Sequence, residues 1–175
     1  MLKSQASANS AATGAVHPDA LLFREGMSRV ASAVHVVTTD GPAGRAGFTA
    51  TAVTPVTDSP AALLVCVNTA SRSAQALLAN RVFCVNTLAA DDMAIADVFS
   101  GRSGLQGHER FSAGQWETLE TGAPVLTTSL VSFDCHIGDA RIVATHHVII
   151  GDIVRIRLGE QKPTLVYQGR SYQEL

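Results

Sequence analysis

The chain has 175 residues, 46% of them hydrophobic and 16% charged, and 13 Lys and Arg against 15 Asp and Glu leave a net charge of -2. That length suits one domain with one core, and a charge balance without a basic cluster excludes a nucleic-acid binder. The longest apolar run, residues 61–67, falls far short of the roughly 20 residues a membrane-spanning helix requires, and so apolar a composition favours an obligate oligomer with a large subunit interface.

Residues 1–18, MLKSQASANSAATGAVHP, are rich in Ala and Ser and lack the apolar stretch of a signal peptide, so they read as a disordered tail before a single domain over residues 19–175. Leu22, Phe23, Met27 and Val30 recur at near-helical spacing behind Pro18 and Asp19, which predicts a helix over 19–31. Residues 34–39 (VHVVTT) are β-branched, the turn DGPAGRAG follows, and residues 48–54 resume β-type composition, which predicts a hairpin. The DSP at residues 58–60 breaks the chain before a third strand over 63–68, a short helix over 71–80 and a fourth strand over 82–88. Residues 91–99 form another short helix, led by two aspartates that suit a helix N-terminus. The glycine-rich SGRSGLQGHERF comes next, and three β-like stretches complete the chain at 130–135, 143–158 with a break near Gly151, and 164–167. Strands dominate and helices are short, which argues for a mainly β, antiparallel barrel with helices at its edges.

Several chemistries are absent from this pattern. No GxGxxG follows a strand and no GxxxxGK[ST] occurs, so neither a Rossmann dinucleotide site nor a P-loop is present. His108-Glu109 opens like a zinc-binding helix, but Ser112 stands where the second histidine belongs, and the adjacent His146 and His147 point to opposite faces of a strand. No metal site is expected. Cys66, Cys84 and Cys135 have no CxxC spacing and each sits in an apolar run, as buried free thiols in a reducing cytoplasm would.

The triplet CVN occurs twice, at residues 66–68 and 84–86. On a strand, Cys66 and Asn68 share one face, as do Cys84 and Asn86, so both strands end with the same presentation of a carboxamide. Between them stands TASRS, a helix start. One reading has Asn68 and Asn86 starting turns while Ser71 caps the helix; the other has the asparagines and the hydroxyls of Ser71 and Ser73 facing a ligand, with the helix N-terminus as an anion site. The run GFTATAV likewise reads either as a strand with a wet threonine face or as a strand of small residues along which a flat ring can lie.

Taken together, FREGMSRVASAVHVVTTDG, GFTATAVTPVTDSPAALLVCVN, SRSAQAL, FCVNTLA, the ERF…W stretch, THHVIIGDI and LVYQGRSY resemble, over residues 19–175, the flavin reductase domain family, the small reductase components of two-component flavin-dependent monooxygenases. The resemblance implies an FMN-binding split barrel, a homodimer, and FMN or FAD reduced by NADH or NADPH. By the same resemblance, Thr49, Ala50, Thr51, Ala52 and Val53 run along the flavin ring, and Asn68 with Phe83, Cys84, Val85 and Asn86 line it from two adjacent strands. Ser71 and Ser73 approach its phosphate, Arg110 and Phe111 contribute to a lid, and His146 stands beside the flavin where nicotinamide stacks. Ala144 departs from a glycine frequent in the family. The implied activity is an NAD(P)H:flavin oxidoreductase that supplies reduced flavin to a separate oxygenase. The alternatives are a reductase whose bound flavin passes electrons to another acceptor such as a corrinoid, a non-catalytic flavin-binding protein, and a structural dimerisation domain.

Overall fold

The structure, a computed structural model, describes residues 18–175, and the expected tail lies outside the described residues except for Pro18, which begins the first helix. In chain order the elements are α1 (Pro18–Ser28), β1 (Ser32–Ala33), β2 (His35–Thr39), β3 (Ala46–Ala50), β4 (Val53–Asp58), β5 (Ala61–Asn68), α2 (Arg72–Asn80), β6 (Val82–Thr87) and α3 (Met93–Ser100). They continue with β7 (Trp116–Thr118), β8 (Pro124–Leu126), β9 (Val131–Val143), β10 (His146–Leu158), β11 (Leu165–Gln168) and β12 (Ser171–Glu174).

Seven strands form one antiparallel sheet in the order β3-β2-β6-β9-β10-β5-β4. Its two edge strands, β3 and β4, are consecutive in the chain and joined by only Thr51 and Ala52. A link that short forces the sheet to curl until its edges meet, and the result is a split β-barrel. Val37, Phe48, Val65, Phe83, Val85 and Ile149 fill its interior. The opposite faces of β2 and β6 are covered as well. Val34 and Val36 pack with Phe99, Phe111, Leu126 and Leu165, and Cys84 packs with Ala123 and Val125. Two covered faces explain why these strands read as nearly unbroken apolar runs rather than alternating ones.

The predicted strand over 48–54 is divided by the bend at Thr51 and Ala52, and β7, β8 and β12 carry no signal that sequence reading had found. The break expected near Gly151 is a register shift: Gly138 is the extra residue on β9 opposite Ile150 and Gly151. A Cβ on Gly151 would stand 2.3 Å from the Phe83 ring, so glycine is required there by close packing across the barrel. β9 and β10 run 13 residues each; β10 starts at His146 rather than at 143, and β9 extends past the expected 135 because residues 136–143 stay extended through pairing with β10 rather than through apolar alternation. Among the described residues no helix is long and apolar enough to cross a membrane.

His35 sits at one end of β2, buried, with its Nδ1 3.1 Å from Thr87 Oγ1. Burial lowers its pKa from 6.5 to about 4. The unfolded chain therefore takes up a proton that the fold refuses, so stability is full above pH 6.5, falls as pH drops through that window, and levels off below about 4. The shift corresponds to about 3 kcal/mol. Urea unfolding at pH 7 and pH 5 is expected to show about 2 kcal/mol of this loss in the parent and a smaller one in His35→Gln.

Candidate functional site

Where β3, the start of α2 and the end of α3 converge, a cleft of about 990 Å³ opens, covered on its outer side by residues 104–110. Each wall has a local cause. Ser71 caps α2 from an extended conformation and accepts a hydrogen bond from the Ala74 amide at 3.4 Å, so the first turn of the helix points into the cleft. Ser73 donates to the Gly47 carbonyl at 2.9 Å and holds α2 against β3. Gly47 is tightly packed: a Cβ there would meet the Phe99 ring at 2.7 Å. Thr49 donates its hydroxyl to the Ala96 carbonyl at 2.7 Å, which ties the floor strand to α3.

Arg110 closes the cleft from the far side. Its guanidinium donates to the carbonyls of Leu105 (3.0 Å), Gly47 and Phe99 (both 3.2 Å). Three carbonyls fix the head group while leaving Nη2 free of these bonds, so the cleft has a positioned cation with donors to spare. Arg72, between the two serines, adds a second and more exposed one. The two cations and the first turn of α2 with Ser71 give this end of the cleft the character of an anion site.

The structure brings Thr49, Ser71, Ser73 and Arg110 together at the cleft. Ala50 is buried at the end of β3, and Thr51 and Ala52 form the exposed bend beyond it, with the Ala52 carbonyl accepting from the Cys66 amide at 3.0 Å. Val53 begins β4 half-buried. Asn68 is exposed at the end of β5 and is not part of the cleft lining; its Oδ1 accepts from the Ala70 amide at 2.8 Å, so its side chain starts the turn into α2. Directly opposite in the sheet is His146, exposed near the tip of the β9–β10 hairpin, with Nδ1 3.0 Å from Thr145 Oγ1. The hairpin turns through Ala144 in a left-handed conformation, φ 51°, the backbone shape that glycine would take freely.

One expectation is corrected. The CVN triplets do not end adjacent strands: β9 and β10 separate β5 from β6, because a chain that returns late inserts its hairpin between them. Phe83, Cys84, Val85 and Asn86 are fully buried, and β6 is paired on both sides, so neither their side chains nor their strand edges open to the cleft. Asn86 donates to the Val36 carbonyl and Thr38 Oγ1 and accepts from the Leu126 amide and Ser132 Oγ, at 2.8–3.2 Å. Burial and the neighbouring Asp134 push the Cys84 thiol well above its ordinary pKa, which keeps it protonated and unreactive. Phe111 is likewise an anchor, edge-on to Phe99 at 5.1 Å and packed on Trp116 at 5.0 Å. Sequence reading passed over Arg72, Gly47 and Gln106, although Arg72 stands inside the SRS motif it had singled out.

Residues 27–175 match the family model of the flavin reductase like domain. The chain belongs to this family. It is 48% identical over 163 residues to the FMN reductase (NADH) RutF of Methylorubrum extorquens, covering 93% of this chain and 78% of that protein. It is 45% identical over 170 residues to the FMN reductase (NADH) RutF of Pseudomonas syringae, covering 95% and 94%. BorF, the flavin reductase component of a bacterial two-component tryptophan halogenase, superposes with a TM-score of 0.83 at 28% identity over 90% of this chain and 98% of that one. Asn86 lies away from the cleft, on the covered outer face of β6 among β2, β8 and β9.

Asn86→Ala is expected to lower stability by about 3 kcal/mol, since the Leu126 amide and Val36 carbonyl lose buried partners, while the folded fraction keeps its flavin affinity. Urea unfolding alongside flavin titration measures both.

Proposed function

We propose that this flavin reductase reduces FMN with NADH and releases the reduced flavin to a separate oxygenase. The observation that carries the reading is the convergence of Ser71, Ser73, Arg72 and Arg110 on one end of a cleft floored by β3, within a chain whose relatives are named FMN reductase (NADH). BorF is one component of a two-component system, which supports a partner enzyme here.

The residues present fit a phosphorylated flavin. The hydroxyl of Ser71 and the free amides at the start of α2 hold the phosphate, with the guanidinium groups of Arg72 and Arg110 balancing its charge. Ser73 keeps α2 at the right distance through Gly47. β3 and the small residues of the bend, Ala50, Thr51 and Ala52, would border the ring, since their side chains permit close approach to backbone, and Val53 and Asn68 would stand at its margin. The bound flavin accepts a hydride from the nicotinamide, so the protein has to supply distance and orientation rather than an acid–base pair. His146, across from Asn68, orients the nicotinamide at the rim by stacking or by a hydrogen bond to its carboxamide.

A homodimer belongs to the same reading. Leu21, Leu22, Phe23 and Met27 of α1, Val56 of β4, and Ile142 and Val143 of the hairpin leave at least half of their surfaces exposed in one protomer. So much exposed apolar surface suits burial against a second copy. Three free thiols suit a reducing cytoplasm.

Anaerobic titration with FMN or FAD and then NADH or NADPH tests the reading. FMN with NADH is expected to bleach fastest, and flavin that stays oxidised under either nicotinamide would mark a binding protein instead. In stopped-flow reduction, His146→Ala is expected to keep its flavin, raise the apparent KM for nicotinamide and slow reduction by about tenfold, a partial loss of orientation. His147→Ala should match the parent.

A further inference from the structure

Residues 101–110 cross the open side of the cleft as a strap with two firm ends. At one end Arg102 bonds Asp97 at 3.0 Å and lies over the Tyr172 ring at 5.6 Å. At the other Arg110 is held by three carbonyls. The middle is made differently. Gly104 and Gly107 bend it through left-handed conformations, φ 80° and 52°, and most of its residues are exposed. Its bonds are local, Leu105 amide to Ser103 and Gln106 amide to Glu109, except that Gln106 Oε1 accepts a hydrogen bond from Arg72 Nη1 at 3.4 Å. That contact spans the cleft. It joins the strap to the first residue of α2, beside the serines of the anion site.

We infer that the Gln106–Arg72 contact sets which flavin the cleft takes: it closes the phosphate end, so that a flavin ending in a monophosphate fits beneath the strap and one extended by an adenylate has to break the contact to enter. The inference rests on the flavin reading above. A long, solvent-exposed bond is weak, so it discriminates without forbidding, and its worth is that of one net hydrogen bond, about fivefold in affinity. Gln106 is the residue that isolates the effect, because loss of Arg72 would break the same contact and also remove a phosphate partner from both flavins.

The single tryptophan, Trp116, packs on Phe99 and Phe111 beneath this region and gives a fluorescence signal for binding. Titration of the full chain with FMN and with FAD is expected to show tighter FMN binding in the parent. Gln106→Ala should tighten FAD about fivefold with FMN unchanged, and Gln106→Glu, which turns the contact into an ion pair, should lower the FAD-to-FMN affinity ratio below that of the parent. A Gln106→Ala ratio equal to the parent's, with both flavins still bound, would overturn the strap's role alone. A parent that binds neither flavin would overturn the flavin reading with it.

Discussion

The barrel turns on one buried amide. Asn86, on the central strand β6, is bonded to β2 through Val36 and Thr38, to β8 through Leu126 and to the start of β9 through Ser132. A primary carboxamide offers two donors and an acceptor that takes more than one bond, so a single side chain can pin three strands at fixed angles. In a dry interior each of these bonds is strengthened and each unpaired partner is costly, so the arrangement specifies one packing and no near relative of it. The wall of the cleft depends on this indirectly, because β3 takes its position from β2.

Function is built at the margin of that rigid body. The site takes its parts from an edge strand, the first turn of one helix, the last turn of another and a glycine-bent strap. Ser71, Ser73 and Arg110 are held by bonds to the fold, whereas the middle of the strap is held mainly by local ones. Redox chemistry that resides in cofactors suits such a division, since it asks for placement and little else. The buried cysteines take no part in it, and the raised pKa values of Cys84 and Cys135 keep both thiols protonated.

Much of this was legible in the order of residues. The strands β2, β3, β5 and β6, all three helices and the family follow from β-branched runs, turn residues and a joint set of motifs. For Ser71, Ser73 and Thr49 the residues alone left two readings open, between which the family pattern chose, and that pattern added Arg110. What sequence could not convey was adjacency. Two identical triplets looked like two neighbouring strand ends, but CVN states only that a strand is covered and stops, and Asn68 faces water while Asn86 faces the interior. A buried asparagine and a turn asparagine differ in what surrounds them, and those surroundings come from residues 40 or more positions away. The extent of β9 was hidden for a related reason: its outer half is held by its partner strand, not by its own composition.

The separation of β5 from β6 also bears on the order in which the protein can be made. Helix α2 joins these two strands, yet their sheet partners on the inner side are β10 and β9, which begin at His146 and Val131, well after β6 ends at Thr87. Until the hairpin arrives, α2 connects two strands with no ladder between them. The first turn of α2, complete in sequence by Ser73, is then held only by its contact with β3. Such long-range pairing forms slowly, so every residue that lines the cleft has been made well before the barrel that backs it can close.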